Sequence, residues 1–133
     1  MPRGIAIIGW DNNIGAVLEA VYPPRTRLEK NQTTVIYSMH TLSSRNPGFV
    51  ALKMGKLNAA SYYGGLDINK CLVVLLEDKE APSIYREQLP RIMEECFNGN
   101  TDVNYDKELP RIYEEIVRIG KGGKTFKKIE GWF

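Results

Sequence analysis

The chain has little of what most catalytic sites are built from. A single histidine, His40, and two cysteines, Cys71 and Cys96, occur in 133 residues. One histidine excludes His-based metal clusters, and the two cysteines lie far apart with no histidine or further cysteine at ligand spacing. Both sit in apolar runs and read as buried structural thiols. No metal and no cofactor is expected. Long apolar runs are missing too: the longest, CLVVLL at 71–76, falls far short of the roughly 20 residues that cross a bilayer. The opening MPRGIAIIGW has one basic residue and too short an apolar stretch for a signal-peptide core, so a cytoplasmic protein is expected.

An excess of charge of one sign is missing as well. A net charge of +2 is too small to argue for nucleic acid. The aromatic segment SYYGG at 61–65 has no interleaved basic residues, so no nucleic-acid stacking platform is expected. The Gly-rich GKGGKT at 120–125 lacks the spacing of a phosphate loop. The glycine required five positions before Gly123 is Arg118, a helical pattern precedes the segment, and no helix signal follows it. No carboxylate pair lies in an apolar setting, and His40 falls on the flank of a helical stripe beside Met39. No assembled active site is legible, and the expectation is a protein without enzymatic activity.

What is present is a well-specified architecture. With 43% apolar and 26% charged residues, the chain has the composition of one globular domain with its own core. GIAIIGW at 4–10 reads as a buried strand, and IGAVLEAVY at 14–22 follows at hairpin distance with Ile14, Ala16, Leu18 and Ala20 on one face, until Pro23 and Pro24 stop the ladder. From Thr26 the spacing of Leu28, Gln32, Val35, Ile36, Met39 and Leu42 turns helical, with Thr26 placed to cap and Glu29 three residues on. SSRNPG is a loop. FVALKMG, LNAASYYGG and NKCLVVLLE then form a three-strand meander, in which alternation makes one of Tyr62 and Tyr63 a core residue and the other a surface residue.

The phrase LPRIMEE at 89–95 returns as LPRIYEE at 109–115. In both copies the apolar positions fall on one helical face and most of the glutamates on the other, so the repeat is one packing solution used by two amphipathic helices. Two copies with different flanks do not make a solenoid. The first helix starts near Ser83 and ends at Asn98-Gly99-Asn100. The second is capped by Asp106 and stops at Gly120. Pro110 is expected in a first turn, whereas Pro90 should kink its helix or mark a late start.

This order of hairpin, helix, three-strand meander and two C-terminal helices, over about residues 4–119, resembles the longin domain. The resemblance rests on GIAIIGW/IGAVLEAVY, the helix near 28–42, the meander and the LPRI helices. It implies an α+β, profilin-like fold with a five-stranded antiparallel sheet, one helix on one face and the C-terminal helices on the other. The related roadblock domain begins with a helix before its first strand, whereas this chain begins in a strand.

The resemblance implies a protein-interaction module: a platform or adaptor for small GTPase regulation or membrane trafficking, paired with a small GTPase, with another longin or roadblock protein, or with itself as a homodimer. The pairing edge is expected at 49–54, through Phe49, Ala51 and Lys53, together with Val35 and Met39 of the adjacent helix, since the prolines blunt the other edge. The division is a longin-like domain at 1–119 and a basic aromatic tail at 120–133. In the tail, Lys124, Lys127, Lys128, Trp132 and Phe133 fit either a weak peripheral membrane contact or docking back on the domain. The rival reading is a small-molecule sensor or enzyme on a profilin-like or PAS-like sheet, with a pocket among Trp10, Ser38, His40 and Tyr62. A profilin-like actin binder is third.

Overall fold

The computed structural model describes residues 1–42, 44–98 and 102–130, with side chains as far as Lys121. The fold is α+β: a five-stranded, open, antiparallel sheet with three α-helices among the described residues. The strands are β1 (Gly4–Asp11), β2 (Gly15–Tyr22), β3 (Gly48–Met54), β4 (Leu57–Tyr63) and β5 (Cys71–Leu75), in the spatial order β2-β1-β5-β4-β3. The helices are α1 (Lys30–Thr41), α2 (Gln88–Phe97) and α3 (Tyr105–Glu130), and a single 3-10 turn, Pro82–Tyr85, precedes α2.

The two strands with uninterrupted apolar sequence take the centre. In β1, Ile5 and Ile7 face one core while Ala6 and Ile8 face the other; in β5, Leu72 and Val74 oppose Cys71, Val73 and Leu75 in the same way. A strand covered on both faces has no solvent side, and its sequence therefore loses the polar alternation of a half-exposed strand. Leu89, Ile92, Met93 and Phe97 of α2 and Leu109, Ile112 and Ile116 of α3 close one face. Leu28, Ile36 and Tyr37 close the other. The equivalent leucines and isoleucines of the two LPRI phrases are therefore buried in the same core, each worth about 2 kcal/mol of transfer free energy.

Several boundaries depart from the sequence reading. The helical start signal acts three residues downstream: Glu29 is the N-cap of α1, and its backbone N–H donates to Gln32 Oε1 at 2.9 Å. Thr26 belongs instead to a turn, its N–H donating to the Pro23 carbonyl at 2.9 Å. Gln32 is thus a cap partner, and the face that α1 buries is Thr33, Ile36 and Tyr37.

The face expected of β2 is broken by a bulge. Ile7 pairs with Ala20 but Ile8 pairs with Leu18, so Glu19 is the extra residue. Ala16 consequently packs on the α1 side and Ala20 on the other, while Ile14 and Leu18 are exposed.

Pro90 marks a late helix start, one of the two outcomes expected of it, whereas Pro110 does not take the first-turn place expected of it. The turn Pro82–Tyr85 takes up Ser83, so α2 starts late and Pro90 is its third residue, where no intrahelical N–H is required. Asn104, not Asp106, precedes α3, and its carbonyl accepts from Glu108 N at 3.0 Å. Pro110 is therefore the sixth residue of α3 and interrupts its ladder. Nor does α3 stop at Gly120; its backbone continues helically to Glu130.

Candidate functional site

The polar and aromatic groups that could form a site lie between α1 and the sheet. Tyr37 of α1 stacks on Trp10 with ring centroids 5.1 Å apart and meets Tyr63 of β4 edge-on at 6.0 Å. The hydroxyls of Tyr37 and Tyr63 both donate to Asn69 Oδ1, at 2.7 and 2.9 Å, and Arg45 Nη1 donates to the Tyr37 oxygen at 2.9 Å. One helical turn on, His40 Nε2 lies 2.9 Å from Ser61 Oγ, and its ring stacks on Tyr63 at 5.9 Å. His40 is not a flank residue: it points at the sheet.

Burial sets the chemistry of this cluster. It lowers the His40 pKa to about 4, so the imidazole is neutral at physiological pH. It also raises the Cys71 thiol to about 12, against a smaller opposing contribution from its hydrogen bond to Ser61, which leaves the thiol protonated and unreactive. Burial likewise raises Tyr37, ahead of the Tyr63 contribution. A Ser–His pair at hydrogen-bond distance has the composition of a nucleophile and base, but Ser61 is 1% exposed and packed under α1. Substrate has no route to its hydroxyl in this arrangement.

The four residues of the pocket expected by the rival reading are not brought together on one face. The clefts beside β2 and α3, at the start of β1, and between β2 and the start of α1 are lined by none of Trp10, Ser38, His40 or Tyr62. Tyr62 is on the opposite face, half-buried against the α2/α3 core, while its neighbour Tyr63 is fully buried on the α1 side. Among the described residues, no group of three or more His, Cys, Asp or Glu is arranged to hold a metal. No helix of the described residues is long and apolar enough to cross a membrane.

The strand order leaves β2 and β3 as the two open edges. At the β3 edge the residues singled out from the sequence separate onto two faces. Phe49 pairs opposite Tyr62 and lies on the α2 side, with the Arg86 guanidinium 4.6 Å above its ring; Ala51 and Lys53 alternate with it on that side. Lys53 Nζ donates to the Asp78 carbonyl at 3.1 Å. Val35 and Met39 belong to α1, beyond the other face. Their companions on that side are Leu52, packed against the α1-side core, and Met54.

Met39 of the last turn of α1, Leu42 at its C-cap and Met54 of β3 stand open: Met39 and Met54 are each just over two-fifths exposed, and Leu42 is 82% exposed. Leu42 could have been found, since it lay at the end of the helical stripe. Met54 could not, because which face of β3 is open depends on what covers the other. Lys124, Lys127, Lys128, Trp132 and Phe133 lie outside the residues whose side chains are described.

The β2 edge is occupied differently. Pro23 and Pro24 follow the strand and are not part of it. The bulged Glu19 accepts from Lys70 Nζ at 2.6 Å and from the Tyr105 hydroxyl at 2.6 Å, tying this edge to the loop before β5 and to the start of α3. A cleft of about 510 Å³ lies alongside, between the end of β2 and the first turns of α3.

Comparison of the chain with models of known protein families, with curated proteins and with solved structures gives no match.

Proposed function

We propose that the protein is a non-enzymatic interaction module of the longin-like type, acting as a platform or adaptor in small GTPase regulation or membrane trafficking. The observation that carries the reading is the architecture: strand order β2-β1-β5-β4-β3 with α1 on one face and α2 and α3 on the other, the arrangement expected of a longin-like domain. The filled α1 face supports it against a small-molecule sensor, because Tyr37, Tyr63 and His40 occupy the space a ligand would take.

The pairing surface is the β3 edge on its α1 side, an edge with unpaired strand backbone on a side of the molecule where Met39, Leu42 and Met54 are exposed. An open edge joins another chain through main-chain hydrogen bonds, and flanking apolar side chains add burial. The occupant is a second copy of this chain or a related partner such as another longin-like or roadblock-like protein, with the small GTPase docking on the resulting pair.

Size-exclusion chromatography with light scattering tests the reading, followed by capture of purified small GTPases in their GDP- and GTP-loaded forms. A dimer that becomes a monomer in Met39→Glu/Leu42→Glu, and a GTPase that binds the wild type only, is the expected result. A monomer at high concentration that binds neither GTPase form overturns it.

A further inference from the structure

Antiparallel order collects separated pieces of chain at one end of the sheet: the start of β1, the end of β2, the turn between β3 and β4, and the end of β5. Cations decorate three of these pieces. Arg3 precedes β1, Arg25 and Arg27 lie in the connection between β2 and α1, and Lys56 sits in the β3–β4 turn. All four line a single cleft of about 580 Å³.

Two carboxylates, Glu29 and Glu77, share that cleft, and both have other work. Glu29 caps α1, and Glu77 is 3.8 Å from the amino group of Met1. None of the four cationic side chains has an ion-pair partner among the described residues, in contrast to Lys70, Arg91 and Arg111, for example. Like charges held around one concave surface repel, and the low-dielectric wall focuses their field outward. An anion bound from outside the chain would relieve that repulsion.

We propose that this cleft binds a phosphate-bearing anion, held by the Arg3, Arg25 and Arg27 guanidinium groups and the Lys56 ammonium. A tetrahedral, multiply charged group suits several converging cations better than a singly charged carboxylate does. Guanidinium forks also match two phosphate oxygens at once. The concave shape fits a compact group, and the three arginines come from two chain segments, so the site exists only in the folded protein. A soluble phosphate compound and a phospholipid headgroup present the same chemistry. The inference does not rest on the longin-like reading and uses none of the residues of the pairing surface.

The experiment uses the full chain, with Arg25→Gln/Arg27→Gln as the test variant and Lys107→Gln, on the exposed surface of α3, as the control. Calorimetric titration with pyrophosphate at low ionic strength is compared with cosedimentation on phosphatidylcholine vesicles with and without phosphatidylinositol phosphate. The expected result is saturable binding by the wild type and the control, weakened at least about tenfold in the test variant with an unchanged unfolding midpoint. Binding of pyrophosphate but not vesicles assigns a soluble ligand. Vesicle binding that pyrophosphate competes away assigns a headgroup. The proposal is overturned if the wild type binds neither probe, if the test variant binds as the wild type does, or if a polyglutamate peptide competes as well as pyrophosphate. Vesicle binding kept by the test variant but lost on truncation after Gly120 overturns it too, and places the membrane contact in the C-terminal segment.

Discussion

Glu19 reaches Lys70 across β1, and it passes over the bare α-carbon of Gly9. The carboxylate comes within 2.6 Å of Lys70 Nζ, and a Cβ built on Gly9 would overlap it. The β-bulge that puts Glu19 out of register with β1 aims its side chain over the strand, and the missing side chain of Gly9 leaves it a path. Gly9→Ala should therefore displace Glu19, leaving Lys70 without its carboxylate and the Tyr105 hydroxyl without its acceptor, at a cost of roughly 2 kcal/mol. Thermal unfolding should show a loss of several degrees. The double variant Gly9→Ala/Glu19→Ala should cost less than the sum of the single changes; simple additivity would show that the two residues do not act through each other.

A second prediction follows from the contact between His40 and Ser61. The folded pKa of His40 is lowered to about 4, below the usual value of 6.5, so the unfolded chain takes up a proton first as pH falls. Stability from this group is complete above pH 6.5, declines as pH drops towards 4, and declines no further below that. The full loss is up to about 3 kcal/mol. Carboxylates titrate near the lower end of the same window, so the comparison is with His40→Gln, which keeps a hydrogen-bonding group facing Ser61 and cannot titrate. The difference between the two urea-denaturation profiles should grow across the window. Parallel profiles would mean that His40 is solvated.

His40→Ala itself should destabilise the fold by about 1–2 kcal/mol, since it strips the nearly inaccessible Ser61 hydroxyl of a partner and removes the ring stacked on Tyr63. Equilibrium unfolding near neutral pH measures this. A change indistinguishable from zero would place the imidazole in solvent.

The prolines of the two LPRI phrases should respond oppositely. Pro110→Ala restores an N–H inside α3 that can donate to the Asp106 carbonyl, and it should stabilise the protein by about 1–3 kcal/mol. Pro90→Ala, in the first turn of α2, should change stability by less than about 0.5 kcal/mol. Denaturant midpoints of the two variants decide, and equal responses would place both prolines in equivalent helical positions.

At the β3 edge, Phe49→Glu and Leu42→Glu should separate folding from pairing. Phe49 packs against the α2-side core beneath Arg86, so a glutamate there should lower the unfolding midpoint. Leu42 is 82% exposed, so Leu42→Glu should leave the midpoint alone and lower the mass measured by light scattering. The reverse assignment would put the pairing surface on the α2 side of the edge.

Much of the architecture was legible because it rests on local pattern. The isoleucine and valine runs of β1 and β5, the helical spacing of α2 and α3, and the loop at 44–47 each carry a signal that needs no distant partner. They yielded the element order, and the order constrains how the strands can pair. The proposed site was less legible. Val35 and Met39 were found with the right helix, but Phe49, Ala51 and Lys53 were grouped with them although strand alternation turns them to the other face.

The sequence by itself determined the hairpin, the meander and the amphipathic helices, since periodicity and turn chemistry act within a few residues; that helices would cover both faces of one sheet was implied only by the longin resemblance. Only the tertiary structure decided that Glu19 would bulge over Gly9 and that His40 would meet Ser61. It alone gathered Arg3, Arg25, Arg27 and Lys56 around one cleft. The physical reason is common to all three: each depends on register or contact between segments separated along the chain, where a side chain's surroundings come from strands and helices that its neighbours in sequence do not specify.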